Sequence, residues 1–293
     1  MQHLKYIPGD NRFIYKGQCS DIQLAQVVWH ITGACKLNCA YCFAPPKDQV
    51  FCISRIEDVL SCFKEFNVQK IDVSGGEPLL YKELPTICNS LVEAGIHLTL
   101  TTSGLGTRRN IDWLLDSVEL FQRIIFSLDS IEKEKHNLVR GHDRAFDSVI
   151  NLIEKVKDRG GLVRINTVIT NILENDEELG KFSSYIRQLE PQEWCVIEPK
   201  IVESNENFFM GDFAATKINI DKIMSKINSE YDRVIFRKSD DYSKYYILQP
   251  DCAFQLHSKS GTPSFSIDFN RKNLELIKCK IKENDIILPI DKG

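Results

Sequence analysis

An alternation of apolar and amphipathic segments constrains the fold of this chain more than any other feature. β-branched and other apolar residues dominate six segments that we predict as strands, at residues 27–32, 70–74, 97–102, 123–128, 162–169 and 193–197. Between them, apolar residues recur at helical spacing over 53–66, 80–94, 111–117, 145–158 and 175–188. This order favours parallel strands joined by crossover helices. Because an eight-stranded barrel would need more units, we expect an α/β fold built on an open, partial (β/α)6 barrel.

The alternation fades beyond about residue 200. One more helix is predicted over 216–229, and short strands and turns follow without an internal repeat. No low-complexity linker separates this part from the rest. We therefore predict a partial barrel over 20–200 and a C-terminal α+β cap over 201–293 that packs on it.

Composition and charge exclude several classes of protein. The 293 residues are 43% hydrophobic and 27% charged, which is typical of a soluble globular protein with a large core. A formal net charge of −4 provides no basic field, so we expect no nucleic-acid binding. No apolar stretch is long enough to span a membrane, and none near Met1 resembles a secretory signal. The 10 cysteines lack the spacing of a disulfide framework, which favours the reducing cytoplasm.

Three of these cysteines form a tight motif after the first predicted strand. Cys35, Cys39 and Cys42 have the spacing C-x₃-C-x₂-C. A [4Fe–4S] cluster held by protein normally takes four cysteine ligands. Three would leave one iron open, and an open metal position is where chemistry takes place. The motif therefore predicts a reactive iron–sulfur cluster, with a zinc knuckle as the alternative.

A second motif ends the second predicted strand. Residues 70–78 read K-I-D-V-S-G-G-E-P. Gly75 and Gly76 allow a ligand to approach the backbone closely. The carboxylate of Glu77 could hold an ammonium group there, and Pro78 fixes the exit of the turn. An ordinary strand-to-helix turn is the alternative interpretation.

Polar residues also follow the other predicted strands. Residues 102–104 read T-S-G, Ser127 ends the fourth strand and Asn166 lies within the fifth. In parallel α/β barrels the loops at the carboxyl ends of the strands converge on one site. We therefore expect one ligand at that end of the barrel. His136 and His142, which flank Arg140, are expected at the surface.

Taken together, the cysteine loop after the first strand and the Gly-Gly-Glu-Pro turn after the second resemble the radical S-adenosylmethionine (SAM) superfamily. The resemblance implies that Cys35, Cys39 and Cys42 hold a [4Fe–4S] cluster whose open iron chelates SAM. It implies that an electron from a reductase, flavodoxin or ferredoxin then cleaves SAM to a 5′-deoxyadenosyl radical. It also implies a set of SAM-binding residues, namely Ser74, Gly75, Gly76, Glu77, Ser103, Ser127 and Arg140.

Within that superfamily the chain is most similar to the viperin-like nucleotide dehydratases, from about residue 27 to 269. The similar segments are 70–78, 164–169 (R-I-N-T-V-I), 189–194 (L-E-P-Q-E-W) and 245–248 (Y-Y-I-L). The resemblance implies conversion of a ribonucleoside triphosphate (CTP, UTP or GTP) to its 3′-deoxy-3′,4′-didehydro analogue. The 4′-hydrogen is abstracted and water is lost, in antiviral defence. By position, Lys70 and Arg164 would bind phosphates, Asn166 would contact the nucleotide, and Tyr245 would donate a hydrogen atom.

The chain departs from that pattern around Trp194. Viperin has two cations there, R-W-K, whereas this chain has Glu193 and Cys195. The candidates to replace the lost charges are Lys200, Arg237, Lys238 and Lys244. The departure favours an alternative, a radical SAM enzyme with the same core that acts on a peptide or another small molecule. A zinc-stabilised binding module is the non-enzymatic alternative.

Overall fold

A computed structural model describes residues 24–200, 213–214, 217–230, 234–239, 241, 245–257 and 263–283. The strands in these ranges form one sheet in the order β10-β9-β8-β1-β2-β3-β4-β5-β6-β7. Neighbouring strands from β8 to β7 are parallel, and β8-β9-β10 is antiparallel. The strands are β1 (Gln26–Thr32), β2 (Lys70–Gly75), β3 (His97–Thr102), β4 (Phe121–Ser127), β5 (Val163–Val168), β6 (Glu193–Ile197), β7 (Val234–Arg237), β8 (Tyr246–Leu248), β9 (Ala253–His257) and β10 (Pro263–Asp268).

Helices cross between the parallel strands as the alternation predicted. They are α1 (Ile56–Glu65), α2 (Leu84–Glu93), α3 (Arg108–Asp116), α4 (Lys133–Arg140), α5 (Ala145–Asp158), α6 (Asp176–Leu189), α7 (Lys217–Glu230) and α8 (Leu274–Glu283). Helix α4 was not predicted from the sequence. The expected α/β fold with an open, partial barrel is confirmed, because the edge strands β10 and β7 of the described sheet do not pair with each other.

The side chains of each strand alternate between two environments. On β2, Ile71 and Val73 are fully buried against the helices, while Lys70, Asp72 and Ser74 line a central cavity. The other parallel strands repeat this pattern, because successive side chains of a strand point to opposite faces. The core therefore lies between sheet and helices, and the inner face of the sheet is left for polar groups.

The described strands beyond residue 200 extend the sheet at both of its edges. Strand β7 pairs with β6, and β8 pairs with β1 on the opposite side. The division into a barrel over 20–200 and a cap over 201–293 stays a prediction. Among the described helices, none is both long and apolar enough to cross a bilayer.

Candidate functional site

The inner face of the sheet encloses a cavity of about 240 Å³. Its wall is formed by inward-facing residues of β1 to β6, by Tyr245 and Ile247 around β8, and by the loop that carries the three cysteines. Cys35, Cys39 and Cys42 all line it. The structure therefore brings the cysteine motif and the polar strand residues to one cavity.

Backbone hydrogen bonds join the cysteine loop to the Gly-Gly-Glu turn. Gly76 N donates to the carbonyl oxygen of Thr32 at 2.6 Å, and Glu77 N donates to that of Ala34 at 2.8 Å. A Cβ on Gly76 would lie 2.3 Å from the carbonyl oxygen of Gly33 and 2.5 Å from that of Ala34. Glycine is therefore required at position 76 because the cysteine loop packs directly on it.

The other side of the cysteine loop rests on the end of α4. Asn38 N donates to the carbonyl oxygen of Arg140 at 3.0 Å, and Ala40 N donates to that of Val139 at 3.1 Å. The helix ends at Gly141, whose left-handed φ of 63° suits glycine. The segment around Cys39 is thus held from both sides.

Cys35 and Cys39 are partly buried, and Cys42 is exposed. Burial raises the pKa of Cys35 to about 11, and it raises the pKa of Cys39 as well. A metal centre would therefore displace protons from these thiols as it binds. In the part of the chain that the structure describes, no three Cys, His, Asp or Glu side chains are placed to share a single metal ion.

A buried ion pair stands beside the middle cysteine. Arg140 Nε lies 2.8 Å from Asp129 Oδ2, and both side chains are almost completely buried. Tyr41 donates its hydroxyl proton to the same carboxylate oxygen at 2.5 Å, and Val168 N donates to Asp129 Oδ1 at 3.0 Å. Arg140 also lies 3.8 Å from Cys39 Sγ and lines the cavity. Its guanidinium therefore lies between the Asp129 carboxylate and the cysteine loop, at the wall of the cavity.

The side chain of Glu77 lies inside the turn that follows β2. Its carboxylate is fully buried and accepts hydrogen bonds from Leu79 N at 3.1 Å, Thr102 Oγ1 at 2.6 Å and Ser103 N at 2.8 Å. It also accepts from the Ser103 hydroxyl, and Glu77 is not among the cavity-lining residues. These donors hold the carboxylate in the turn, and its expected contact with an ammonium group stays a prediction.

The other residues that the sequence singled out line the same cavity. Ser74, Gly75, Gly76, Ser103, Ser127 and Arg140 lie around its cysteine end. The residues expected to bind substrate, Lys70, Arg164, Asn166 and Tyr245, line it as well. Their roles remain predictions, but their common location is what a shared site for two ligands requires.

Sequence reasoning missed several side chains on this inner face. Asp72 accepts hydrogen bonds from the Thr99 hydroxyl at 2.9 Å and from the Thr101 hydroxyl at 3.1 Å, and burial raises its pKa. Arg123 on β4 also lines the cavity. The signal that could have found them is strand parity, because Asp72 is in phase with Ser74, and Arg123 with Ser127.

The cations proposed to replace the lost R-W-K charges fall into three groups. Lys200 and Arg237 line the cavity. Lys238 is exposed, and Lys244 lies outside the described residues. Glu193 forms ion pairs with Arg123 and Arg164.

Comparison with known proteins identifies the family. Residues 29–186, more than half of the chain, match the model of the radical SAM superfamily. The chain belongs to the radical SAM superfamily. It is a radical SAM enzyme whose cofactors are a [4Fe–4S] cluster and SAM, and Cys35, Cys39 and Cys42 are the residues that would hold the cluster.

Its similar relatives carry two kinds of name. A GTP 3′,8-cyclase of Aquifex aeolicus is 26% identical over 89% of this chain and 84% of its own length. An S-adenosylmethionine-dependent nucleotide dehydratase of Psychrobacter lutiphocae is 23% identical over 82% of this chain and 91% of its own length. Some matches are more partial, since the chain spans 65% of the Staphylococcus carnosus GTP 3′,8-cyclase. The dehydratases support the viperin-like resemblance within the radical SAM superfamily.

Solved radical SAM structures share the fold. Streptococcus suis SuiB bound to S-adenosylmethionine superposes with a TM-score of 0.68 at 15% identity, over 89% of this chain and 67% of SuiB. The enzyme anSMEcpe with bound AdoMet gives a TM-score of 0.65 at 17% identity, over 85% of this chain and 79% of that one. At these identities the likeness concerns the fold alone.

Proposed function

We propose that this radical SAM enzyme removes water from a ribonucleoside triphosphate. The product would be the 3′-deoxy-3′,4′-didehydro nucleotide, formed by abstraction of the 4′-hydrogen and loss of the 3′-hydroxyl as water. Per turnover the reaction consumes one SAM, two electrons and one proton, and it releases methionine and 5′-deoxyadenosine. A reductase, flavodoxin or ferredoxin would supply the electrons. A nucleotide without a 3′-hydroxyl cannot be extended, which accords with a role in antiviral defence.

One observation carries this proposal, namely the charge of the cavity wall. Among the described residues that line it, six side chains are Lys or Arg and one is acidic. The basic residues are Lys70, Arg123, Arg140, Arg164, Lys200 and Arg237. Such a wall suits a ligand with several negative charges, because charge-assisted hydrogen bonds to phosphate are short and strong. The relatives named as acting on nucleotides support the same substrate class.

The cluster and SAM, when bound, supply the one-electron chemistry, and the side chains of the cavity supply orientation and protons. Tyr245 lines the cavity and is 8% exposed. Burial raises the pKa of its phenol, which therefore keeps its O–H at neutral pH. The Arg237 guanidinium lies 4.8 Å from the centre of the Tyr245 ring and holds it in place. Tyr245 is accordingly our candidate for the hydrogen donor.

Cyclisation of GTP is a second candidate, favoured by the match to the Aquifex cyclase along most of both chains. A cyclase would join two atoms of its substrate and retain the 3′-oxygen, whereas a dehydratase would release it. The third candidate is a radical SAM enzyme with the same core that acts on a peptide or another small molecule. Only the dehydratase yields a product lighter by one water.

The test is an anaerobic incubation of reconstituted enzyme with SAM, dithionite and each ribonucleotide in turn. Mass spectrometry should detect a product lighter by the mass of one water with at least one triphosphate, together with 5′-deoxyadenosine. A product that keeps the mass of GTP would favour cyclisation. Release of 5′-deoxyadenosine with every ribonucleotide left unchanged would refute both nucleotide proposals.

A further inference from the structure

Charged side chains cluster at the amino-terminal half of the barrel strands, away from the cysteine loop. We call Lys70, Arg123 and Arg164 the floor cations; they lie early in β2, β4 and β5. Two carboxylates, Asp72 and Glu193, stand among them. All three floor cations line the cavity, and strand pairing places Arg164 beside Glu193 and Asp72 next to Thr99, the partner of Arg123.

The carboxylates neutralise the floor cations only in part. Glu193 pairs with both Arg123 and Arg164, and Asp72 is occupied by threonine hydroxyls. Lys70 is influenced by Asp72 and Glu193 through space, without a hydrogen bond to either among the described residues. With three cations and two carboxylates, the group keeps one excess positive charge in a largely buried place.

Arg123 is also incompletely satisfied. Its terminal nitrogen pairs with Glu193, but its Nε is buried without a hydrogen-bond partner in the described part of the chain. Buried guanidinium nitrogens normally donate to an acceptor, because an unmet donor costs free energy. Because Arg123 lines the cavity, an anion bound there would place an acceptor beside its guanidinium. Burial, and then the charge of Arg123, lower the pKa of Lys70. The neighbouring carboxylates therefore do not fully compensate the ammonium charge of Lys70.

We propose that Arg123 binds the terminal phosphate of the substrate, together with Lys70 and Arg164, and that Glu193 orients the two arginines. This inference rests on the proposed nucleotide substrate. It assigns the phosphate-binding role of the missing R-W-K cations to Arg123 on β4, which is separated from β6 by β5 in the sheet. Glu193 is then a positioning residue: it engages one end of each guanidinium and leaves the remaining N–H groups for the ligand.

The arrangement explains why a glutamate is tolerated at a phosphate site. Arg164 Nε donates to Asn166 Oδ1 at 2.9 Å, so this arginine is held by Asn166 as well as by Glu193. Two arginines restrained in this way lose little freedom when they bind phosphate, and Arg offers the planar donors that phosphate prefers. The excess positive charge remains with the floor cations as a group.

The test measures phosphate discrimination by isothermal titration calorimetry. The protein carries its cluster and SAM without reductant, and the ligands are one nucleoside with its mono-, di- and triphosphate. In the wild-type enzyme, affinity should rise with each phosphate. Arg123→Gln should weaken triphosphate binding by about tenfold or more, while binding of the nucleoside and of SAM changes by less than about twofold. Arg108→Gln, on the exposed side of α3, is the matched control and should change nothing.

A double variant separates binding from charge balance. Arg123→Gln with Glu193→Gln restores the excess charge of the floor to its original value, and it leaves no carboxylate without its partner. If Arg123 binds phosphate, the double variant stays as weak as the single one. If it recovers wild-type discrimination, Arg123 serves only to neutralise Glu193 and the inference is wrong. A wild-type enzyme that binds no nucleotide at all would instead overturn the proposed function.

Discussion

Replacing Gly76 by alanine tests the backbone contact, here called the joint, between the cysteine loop and the Gly-Gly-Glu turn. The added methyl would lie 2.3 Å from the carbonyl oxygen of Gly33 and 2.5 Å from that of Ala34. Carbon–oxygen contacts below about 3.3 Å are unfavourable. Both oxygens belong to the backbone of the cysteine loop and cannot rotate away. The loop must therefore move by roughly 1 Å to admit a single methyl group.

This movement would displace the cysteine loop, so we expect it to weaken binding of the cluster. Overpacking a tight contact costs typically about 1–3 kcal/mol. The same shift breaks the hydrogen bond from Gly76 N to Thr32, which is 2.6 Å long. A displacement of about 1 Å in positioned groups can lower activity by about 100-fold. We expect Gly76→Ala to remain folded while it loses cluster occupancy and SAM cleavage.

The assay combines iron content per chain, circular dichroism and 5′-deoxyadenosine release under anaerobic conditions. Gly180→Ala in α6 is the matched control, because a Cβ there meets nothing within 4 Å. Alanine in a helix is favourable by up to about 1 kcal/mol relative to glycine, so the control should lose neither stability nor iron. If Gly76→Ala binds iron and cleaves SAM as the wild type does, the steric argument for the joint is refuted.

Three further predictions concern the buried polar groups around the cavity. Asp129→Asn breaks the buried pair with Arg140 and should lower the free energy of unfolding in urea by about 3 kcal/mol; an unchanged urea midpoint would contradict it. Burial lowers the pKa of His136 to about 4 from 6.5, so its contribution is complete above pH 6.5 and is lost as pH falls toward 4. The loss amounts to about 3 kcal/mol, and urea titrations of His136→Gln should show a flatter pH dependence. Tyr245→Phe should still release 5′-deoxyadenosine but form dehydrated product at least about 100-fold more slowly, whereas an equal rate would remove Tyr245 as the hydrogen donor.

The repeating pattern was predictable because it depends on local periodicity. The sequence located six parallel strands, and the structure has each of them within a few residues. It located the cysteine loop and the glycine turn, because both are contiguous motifs. Helix α4 was missed, since only Leu138 and Val139 of its eight residues are apolar. For the same reason His136 was expected at the surface, whereas it is 1% exposed.

Contacts between distant segments were beyond sequence reasoning. Three of the four donors to Glu77 come from Thr102 and Ser103, about 25 positions away at the end of β3 and just after it. Nothing in the local motif shows that they occupy the carboxylate. In the sequence, Glu193 replaces a cation that the viperin-like pattern has at this position. Its ion-pair partner Arg123 lies 70 positions earlier, on a strand that the sequence pattern does not place near Glu193. The sequence shows which side chains are charged, but it does not show which of them form ion pairs with each other.

The spacing of the two polar layers limits what the cavity can bind. On β2, Lys70 and Ser74 are four residues apart, and on β4 the same interval separates Arg123 from Ser127. At about 3.3 Å per residue, the floor cations lie roughly 13 Å below the cysteine end. A ligand anchored on the floor cations must extend over this interval to bring its reacting carbon near SAM. The same interval separates the floor cations from the cysteine end, and the proposed nucleotide would span it with its phosphates on the floor cations.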